Sequence, residues 1–396
     1  MVETDTLTID LTDIGHGGEA IGRADGQVVF AAYGIPGEKA LVEGRQRKRD
    51  YIKGRVTEVL EPSPHRTTPP CADFGTCGGC QWQHIDYSFQ LELKQRILRE
   101  QLERIGKISS PYVPPTHPTP SPWHYRNHAR FSVNRAGDLG FTRADDYQFL
   151  AIDYCHLMHP EINSALADFQ GKCAGAHQVS IRYGVATGER LVQPPLHHLG
   201  IEMGSGQAHF TEVLFGYRFR VSGPSFFQVN TPQAERLVAA VRDRLGLKGD
   251  ELLVDAYAGV GTFAALFAPY VKKVLAIEES SSAMKDAKVN CAPFRNVELA
   301  LSKAEAALPE LSERPDVVIL DPPRVGCHRK VLEALLELAP PKIVYVSCDP
   351  ATLARDLGIL CRDGYRLKEA LPVDMFPQTY HIESVSTLVL QGSGEV

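Results

Sequence analysis

The 396-residue chain lacks a surplus of positive charge: 42 Lys and Arg stand against 48 Asp and Glu, a formal net charge of −6. That excludes a molecule basic throughout, so any nucleic-acid contact must come from local patches. It lacks an even cysteine framework, because nine cysteines, three of them packed into ten residues, fit poorly with secreted disulfide pairing. Its opening, MVETDTLTID, has no basic segment followed by an apolar one, so the expectation is a cytoplasmic protein. Long apolar runs are scarce as well. The single hydropathy alarm, residues 252–271, contains Asp255 and two close glycines, and reads as strand, turn and buried helix rather than a membrane span. No internal repeat and no second CxxC pair are visible, the latter arguing against a standard zinc ribbon.

What is present divides the chain. Length alone suggests two to three domains. Residues 1–60 are short alternating apolar runs broken by glycines, the pattern of a small antiparallel OB-like β-barrel. Its last strands enclose RQRKRDYIKGR, residues 45–55, with six basic side chains and one acid: either a solvated loop or a phosphate-contacting patch. Residues 61–225 form a β-rich centre bounded by proline clusters. Within it Phe89, Leu93, Ile97, Leu98, Leu102 and Ile105 predict a helix over 88–105 that packs on the C-terminal part. From 226 to 396 apolar strands alternate with helices, the pattern of a Rossmann-like doubly wound parallel sheet with ligands at its strand ends.

Three strand ends carry chemistry. The first runs into Asp255-Ala-Tyr-Ala-Gly259-Val-Gly261, a turn that lets a ligand approach the backbone; the next ends in Glu278, placed to accept both hydroxyls of a ribose. This suits NAD and S-adenosylmethionine alike. Further on, one strand ends in Asp321-Pro-Pro-Arg324 and another in Cys348-Asp349-Pro350. A dehydrogenase has no need of that thiol. At a strand-to-helix turn the helix amides are expected to favour thiolate, which makes Cys348 a candidate nucleophile. A methylase acting on C5 of uracil does need one: addition to C6 makes C5 electron-rich, and a base must later remove the C5 proton. Glu383, beside His381 near the C-terminus, is available for that step. Separately, Cys71, Cys77 and Cys80 call for a soft metal, zinc or an iron–sulfur cluster, with Cys155 or Cys173 as fourth ligand.

With these residues in view the chain resembles, over essentially its full length, the RNA 5-methyluridine methyltransferases of the TrmA/RumA type. The resemblance rests on ordered motifs: CADFGTCGGC, YRNHARFSV, SFFQVN, DAYAGVGTF, DPPRVGC, VSCDPATLARDL and DMFPQTYHIESV. It implies a TRAM barrel, a cluster-bearing centre and a class I methyltransferase domain. It further implies Cys348 as nucleophile, Glu383 as general base, and Gln228, Tyr257, Glu278 and Asp321 as S-adenosylmethionine contacts. Cys71, Cys77, Cys80 and Cys155 become ligands of a [4Fe-4S] cluster, the preference for Cys155 coming from the family pattern. The sequence departs from that pattern at His128, where many relatives carry Lys, and at Ala258 and Thr262. The expected substrate is a uridine of large-subunit ribosomal RNA, with transfer RNA the alternative. The protein is expected to act as a monomer, with no membrane and no obligate protein partner. Two other readings stay open: an exocyclic-amine methyltransferase, which Asp-Pro-Pro suggests, and a non-catalytic RNA-binding protein.

Overall fold

The computed structural model describes residues 6–199 and 204–392. Half of the stretch read for an export signal, residues 1–5, lies outside them. At the N-terminus β1 (Thr6–Ile14), β2 (Ala20–Ala24), β3 (Gln27–Ala32), β4 (Lys39–Arg47) and β5 (Tyr51–Glu61) close a barrel in the order β1-β2-β3-β5-β4. Alternate residues such as Ile9, Leu11, Val29, Ala31 and Val42 fill its interior. The expectation of a wholly antiparallel barrel is corrected here, since β3 and β5 run parallel. An odd number of strands cannot alternate direction around a closed ring.

After the barrel, α1 (Tyr87–Arg104) begins where the Asp86 side chain accepts the Phe89 amide at 3.0 Å. The middle region is an antiparallel sheet, in order β10-β9-β6-β7-β8, built from β6 (His128–Val133), β7 (Leu139–Thr142), β8 (Phe149–Ala151), β9 (Gln178–Tyr183) and β10 (Arg190–Gln193). It is covered by α2 (Pro160–Phe169), whose Ile162, Ala165, Leu166 and Phe169 join one apolar cluster with Phe131, Val179 and Ile181. The β-rich pattern of residues 124–225 does not announce α2.

The hairpin of β11 (His209–Leu214) and β12 (Tyr217–Ser222) leads into α3 (Thr231–Leu245). Then strand and helix alternate: β13 (Leu252–Asp255), α4 (Thr262–Phe267), β14 (Lys273–Glu278), α5 (Ser281–Asn290), β15 (Val297–Leu301), α6 (Ala304–Ala307), β16 (Val317–Leu320), α7 (Arg329–Leu338), β17 (Lys342–Ser347) and α8 (Pro350–Asp363). An antiparallel pair closes the chain, β18 (Tyr365–Val373) and β19 (Glu383–Leu390), neither of which the periodicity announced. The sheet order is β15-β14-β13-β16-β17-β19-β18, with β13 to β17 parallel and β19 inserted antiparallel beside β17. The 252–271 stretch is strand, glycine turn and buried helix. Among the described residues no helix is long and apolar enough to cross a membrane.

Two elements that precede residue 226 pack against this sheet's layers. Phe210, Leu214, Phe219 and Val221 of the hairpin share a core with α3 and α4. Leu98 and Leu102 of α1 join Leu353 and Leu357 of α8, while Leu93 and Ile97 face Trp82, Ile14 and Ile35 on the barrel side. Helix α1 is thus a wedge between barrel and sheet. Its Lys94, fully buried, bonds Asp374 at 2.6 Å and the Phe376 carbonyl at 3.0 Å. Removing one partner of such a pair costs about 3–5 kcal/mol, so the 374–381 segment is anchored firmly.

Candidate active site and cysteine cavity

A cavity of about 1120 Å³ opens at the carboxyl ends of the parallel strands. Gln228, Tyr257, Glu278, Asp321, Cys348 and Glu383 all line it. Each arrives by a local device. The turn after β13 has Gly259 at φ 56° and Gly261 at φ 83°. At Gly261 a Cβ would lie 2.9 Å from Cys291 Sγ on the α5 side; at Gly259 it would meet open space, so its backbone faces the cavity. Glu278 ends β14, where Gly259 donates to Oε2 at 2.8 Å and Ser280 to Oε1 at 2.6 Å, which aims the carboxylate. Gln228 sits in the loop before α3, next to Asn230, whose side chain caps that helix. The Tyr257 phenol meets the Cys327 thiol.

Strand register brings Cys348 and Glu383 together. Ser347 pairs with Ser384 across β17 and β19, so the residue after one faces the residue before the other. Glu383 is buried. Its carboxyl is held well above the ordinary value, first by burial and then by Asp321, with Arg324 opposing. Burial, Glu383 and Asp321 push Cys348 up to about 12. The expectation that helix amides favour its thiolate is therefore overturned. Residue 350 is a proline with no N–H, and the Ala351 and Thr352 amides are taken by Asp349 Oδ1 at 3.0 and 2.8 Å. Burial raises Asp321 to about 7, and burial, then Asp321, raises Asp255 to about 8. Neither Asp255 oxygen has a hydrogen-bond partner at normal distance, although the Ala264 and Tyr257 amides face the carboxyl. Such an acid-rich enclosure favours a cation. Arg324, exposed at the rim, forms no ion pair among the described residues. Phe226, 68% exposed, lines the cavity too. It stood in the SFFQVN motif without a role, and its only sequence signal was a large apolar side chain in a loop.

A second cavity, about 350 Å³, lies between the 71–80 loop and the middle sheet and is lined by Cys71, Cys77, Cys80 and Cys155. Tight turns shape the loop: Phe74 N reaches Cys71 O at 3.1 Å and Cys77 N reaches Asp73 O at 2.8 Å. Gly78 N then bonds Thr142 O on β7 at 3.1 Å. Cys155 follows β8 and is fixed by Asn163 of α2, which accepts its amide at 2.9 Å and donates to its carbonyl at 3.0 Å. Burial raises all four thiols, Cys77 to about 11 and Cys80 to about 12, and the neighbouring thiols raise Cys77 and Cys80 further. Cys173 lies elsewhere, in the apolar core under α2. Among the described residues no three His, Cys, Asp or Glu side chains converge as ligands of a single ion do. The thiols ring a space rather than a point.

The basic run divides. Arg45 and Arg55 both engage Asp145 of the middle region, at 2.6 and 3.1 Å, and Lys53 lies 3.7 Å from Glu19. Arg45, Lys53 and Arg55 of the expected phosphate patch are thus engaged within the molecule. His128 is half-buried beside the cysteine cavity, with Nε2 3.0 Å from Ser180 Oγ.

Sheet and cleft define the class: an α/β enzyme that holds a nucleoside cofactor at the carboxyl ends of a doubly wound sheet. The family model described as tRNA (Uracil-5-)-methyltransferase matches residues 214–391. A curated RNA methyltransferase of Thermosynechococcus vestitus is 34% identical over 97% of this chain and 98% of its own. One of Halalkalibacterium halodurans is 34% identical over 98% of each. Among solved structures, Pyrococcus abyssi tRNA (uracil-54, C5)-methyltransferase in complex with S-adenosyl-L-homocysteine is 25% identical, with a TM-score of 0.74, covering 97% of this chain and 100% of that one. The chain belongs to the RNA (uracil-5-)-methyltransferase family, whose members are S-adenosylmethionine-dependent RNA methyltransferases.

Proposed function

We propose that this enzyme methylates C5 of a uridine in RNA through a covalent bond between Cys348 and C6. The observation that carries the reading is the register that sets Cys348 against Glu383 at the mouth of the cofactor cleft. S-adenosylmethionine supplies an electrophilic methyl group on a cationic sulfur. The cavity fits it: Glu278 is aimed for the ribose hydroxyls, and Asp321 and Glu383 favour a positive charge. Cys348 and Glu383 each give up a proton to solvent as the cationic ligand and Arg324 offset the surrounding carboxylates, which leaves a thiolate beside an ionised base. The Cys348 sulfur bonds to C6, and the C5=C6 electrons move onto C5 and the O4 carbonyl. C5 is then the carbon that would receive the methyl group, with the S–CH3 bond broken as the new bond forms. Glu383 then accepts the C5 proton, the C5–H electrons restore C5=C6, and the Cys348 thiolate leaves. Gln228 and Tyr257 position the cofactor.

Cys71, Cys77, Cys80 and Cys155 fit a [4Fe-4S] cluster: four desolvated thiols ring one cavity, and the Gly79, Leu157 and Met158 amides face their sulfurs. The cluster would supply the positive charge that makes these thiols anionic and would tie the 71–80 loop to the residues after β8. Anaerobic purification with matching iron and sulfide supports it, and stoichiometric zinc counts against it. The barrel, as a TRAM-type domain, binds RNA. The substrate carried forward from the sequence is a ribosomal uridine, with transfer RNA, for which the matching family model is named, as the second reading. The archetype for the second reading is the Pyrococcus abyssi enzyme, whose substrate is transfer RNA.

The deciding experiment labels total RNA from a deletion strain with the purified enzyme and maps the product. Cys348→Ala abolishes transfer while cofactor affinity persists; retained turnover would refute the adduct. A product methylated on nitrogen would favour the exocyclic-amine reading.

A further inference from the structure

The β1–β2 loop, Gly15-His16-Gly17-Gly18, leaves the barrel and reaches the catalytic sheet. Gly18 N bonds Gly15 O at 2.9 Å, closing a tight turn, and Gly18 takes φ 85°. The Gly18 carbonyl accepts Trp82 Nε1 at 3.0 Å. A Cβ on Gly18 would come within 2.6 Å of Tyr380 Cβ, so only glycine allows the backbone this near the 374–381 segment. Docked in this way, the loop brings His16 Nε2 to 3.5 Å from Asp349 Oδ2.

Asp349 is the residue after Cys348. Its Oδ1 is committed to the first amides of α8, and its own amide bonds Ser347 Oγ at 3.2 Å. Oδ2 is left for His16. The other ring nitrogen, Nδ1, is buried without a partner. The ring thus turns Nε2 toward Asp349 and Nδ1 into the interior. Residues 16 and 349 thus join the barrel to the peptide that carries the nucleophile.

We propose that His16 is a positioning residue for methyl transfer, acting through Asp349 to fix the Cys348 peptide so that the docked barrel completes the active site. The proposal rests on the reading of Cys348 as nucleophile. The barrel then does more than bind RNA, because its docking sets the angle from which the thiol meets C6. A small displacement of that peptide slows the reaction without touching substrate affinity.

The test uses the full-length enzyme and total RNA from a deletion strain grown with 5-fluorouracil. With fluorine at C5 there is no proton for the base to take, so the Cys348–C6 bond persists and the complex survives a denaturing gel. His16→Ala is expected to slow adduct formation at saturating RNA by about 10–100-fold. S-adenosylmethionine affinity by calorimetry and RNA affinity by filter binding should stay within about twofold of the parent. His16→Gln keeps an N–H near the Nε2 position and is expected to recover most of the rate. An unchanged rate in His16→Ala overturns the proposal. So does weaker RNA binding with a parental rate at saturation, which would make His16 an RNA contact. A Gln variant as slow as the Ala variant overturns it too, since shape rather than the hydrogen bond would then matter. Cys348→Ala run in parallel should give no adduct; if it gives one, the nucleophile assignment fails, and that failure is separable from the behaviour of His16.

Discussion

The two cavities hold thiols of similar acidity in different company. Cys348 in one and Cys80 in the other are both raised to about 12, chiefly by burial. Cys348 has carboxyl groups for neighbours, Glu383 and Asp321, and one uncommitted guanidinium at the rim. Cys80 has other thiols, Cys77, Cys71 and Cys155. Acidity alone would not tell a nucleophile from a ligand. The neighbours do: a thiol beside a carboxyl can add to a ring and have the resulting proton removed, whereas four thiols in a ring have nothing to pass a proton to and suit a polynuclear cation. Under the proposed reading, incoming positive charge would make sulfur anionic in both cavities.

The sharpest way to break this contrast is Glu383→Gln. If Glu383 is the base, the variant still adds Cys348 to C6 and transfers the methyl group, but cannot finish. Multiple turnover should fall by about 10²–10⁴-fold, with a covalent RNA adduct accumulating on natural RNA. Near-parental turnover would move the base elsewhere, and Asp321 is the next carboxyl in the cavity.

A second test concerns Asp255, the buried carboxyl at the end of β13 that is coupled to Asp321. Asp255 holds its proton up to about 8 when folded, against an ordinary 3.8. Between those values the folded state binds more protons than the unfolded one, so stability falls as pH rises through this window. Thermal melts of the cofactor-free enzyme should therefore drop from the acid side of the window to its alkaline side. Asp255→Asn should flatten that slope. A slope unchanged by the substitution would show that Asp255 is already ionised, and that Asp321, at about 7, dominates.

Much of this was legible in sequence, for reasons particular residues make clear. Strand ends locate Asp255, Glu278, Asp321 and Cys348, because a doubly wound sheet puts all such ends on one edge. Glu383 was legible only through family resemblance. Its partnership with Cys348 depends on an antiparallel insertion of β19 beside β17, and periodicity revealed neither β19 nor β18. Cys71, Cys77 and Cys80 announce themselves by spacing. Cys155 does not, because it is brought to them by the folding of the 71–80 loop over β7 and β8. The acidity of Cys348 was misjudged: a helix start suggested available amides, and Pro350 and Asp349 leave none. Pairs such as Lys94 with Asp374 join residues far apart in the chain, and no local pattern signals them.

The same blindness applies to charge, and yields the smallest effect. Residues 45–55 read as a basic patch, yet Asp145 from the middle region holds Arg45 and Arg55. Around the catalytic cavity, by contrast, Arg324 is uncommitted. Asp145→Ala should cost little stability, because these side chains are substantially exposed and water screens them; about 0.2–1 kcal/mol is the range for such pairs. It should also release the Arg55 guanidinium and leave Arg45 with only Glu43, 3.4 Å away, on the barrel face. If that face meets phosphate, RNA affinity rises and its salt dependence steepens, by roughly one unit of slope for each new phosphate contact. If affinity and slope stay as they were, Arg45 and Arg55 serve only to dock the barrel against the cysteine region. RNA contact on the barrel would then fall to the remaining basic residues of the run.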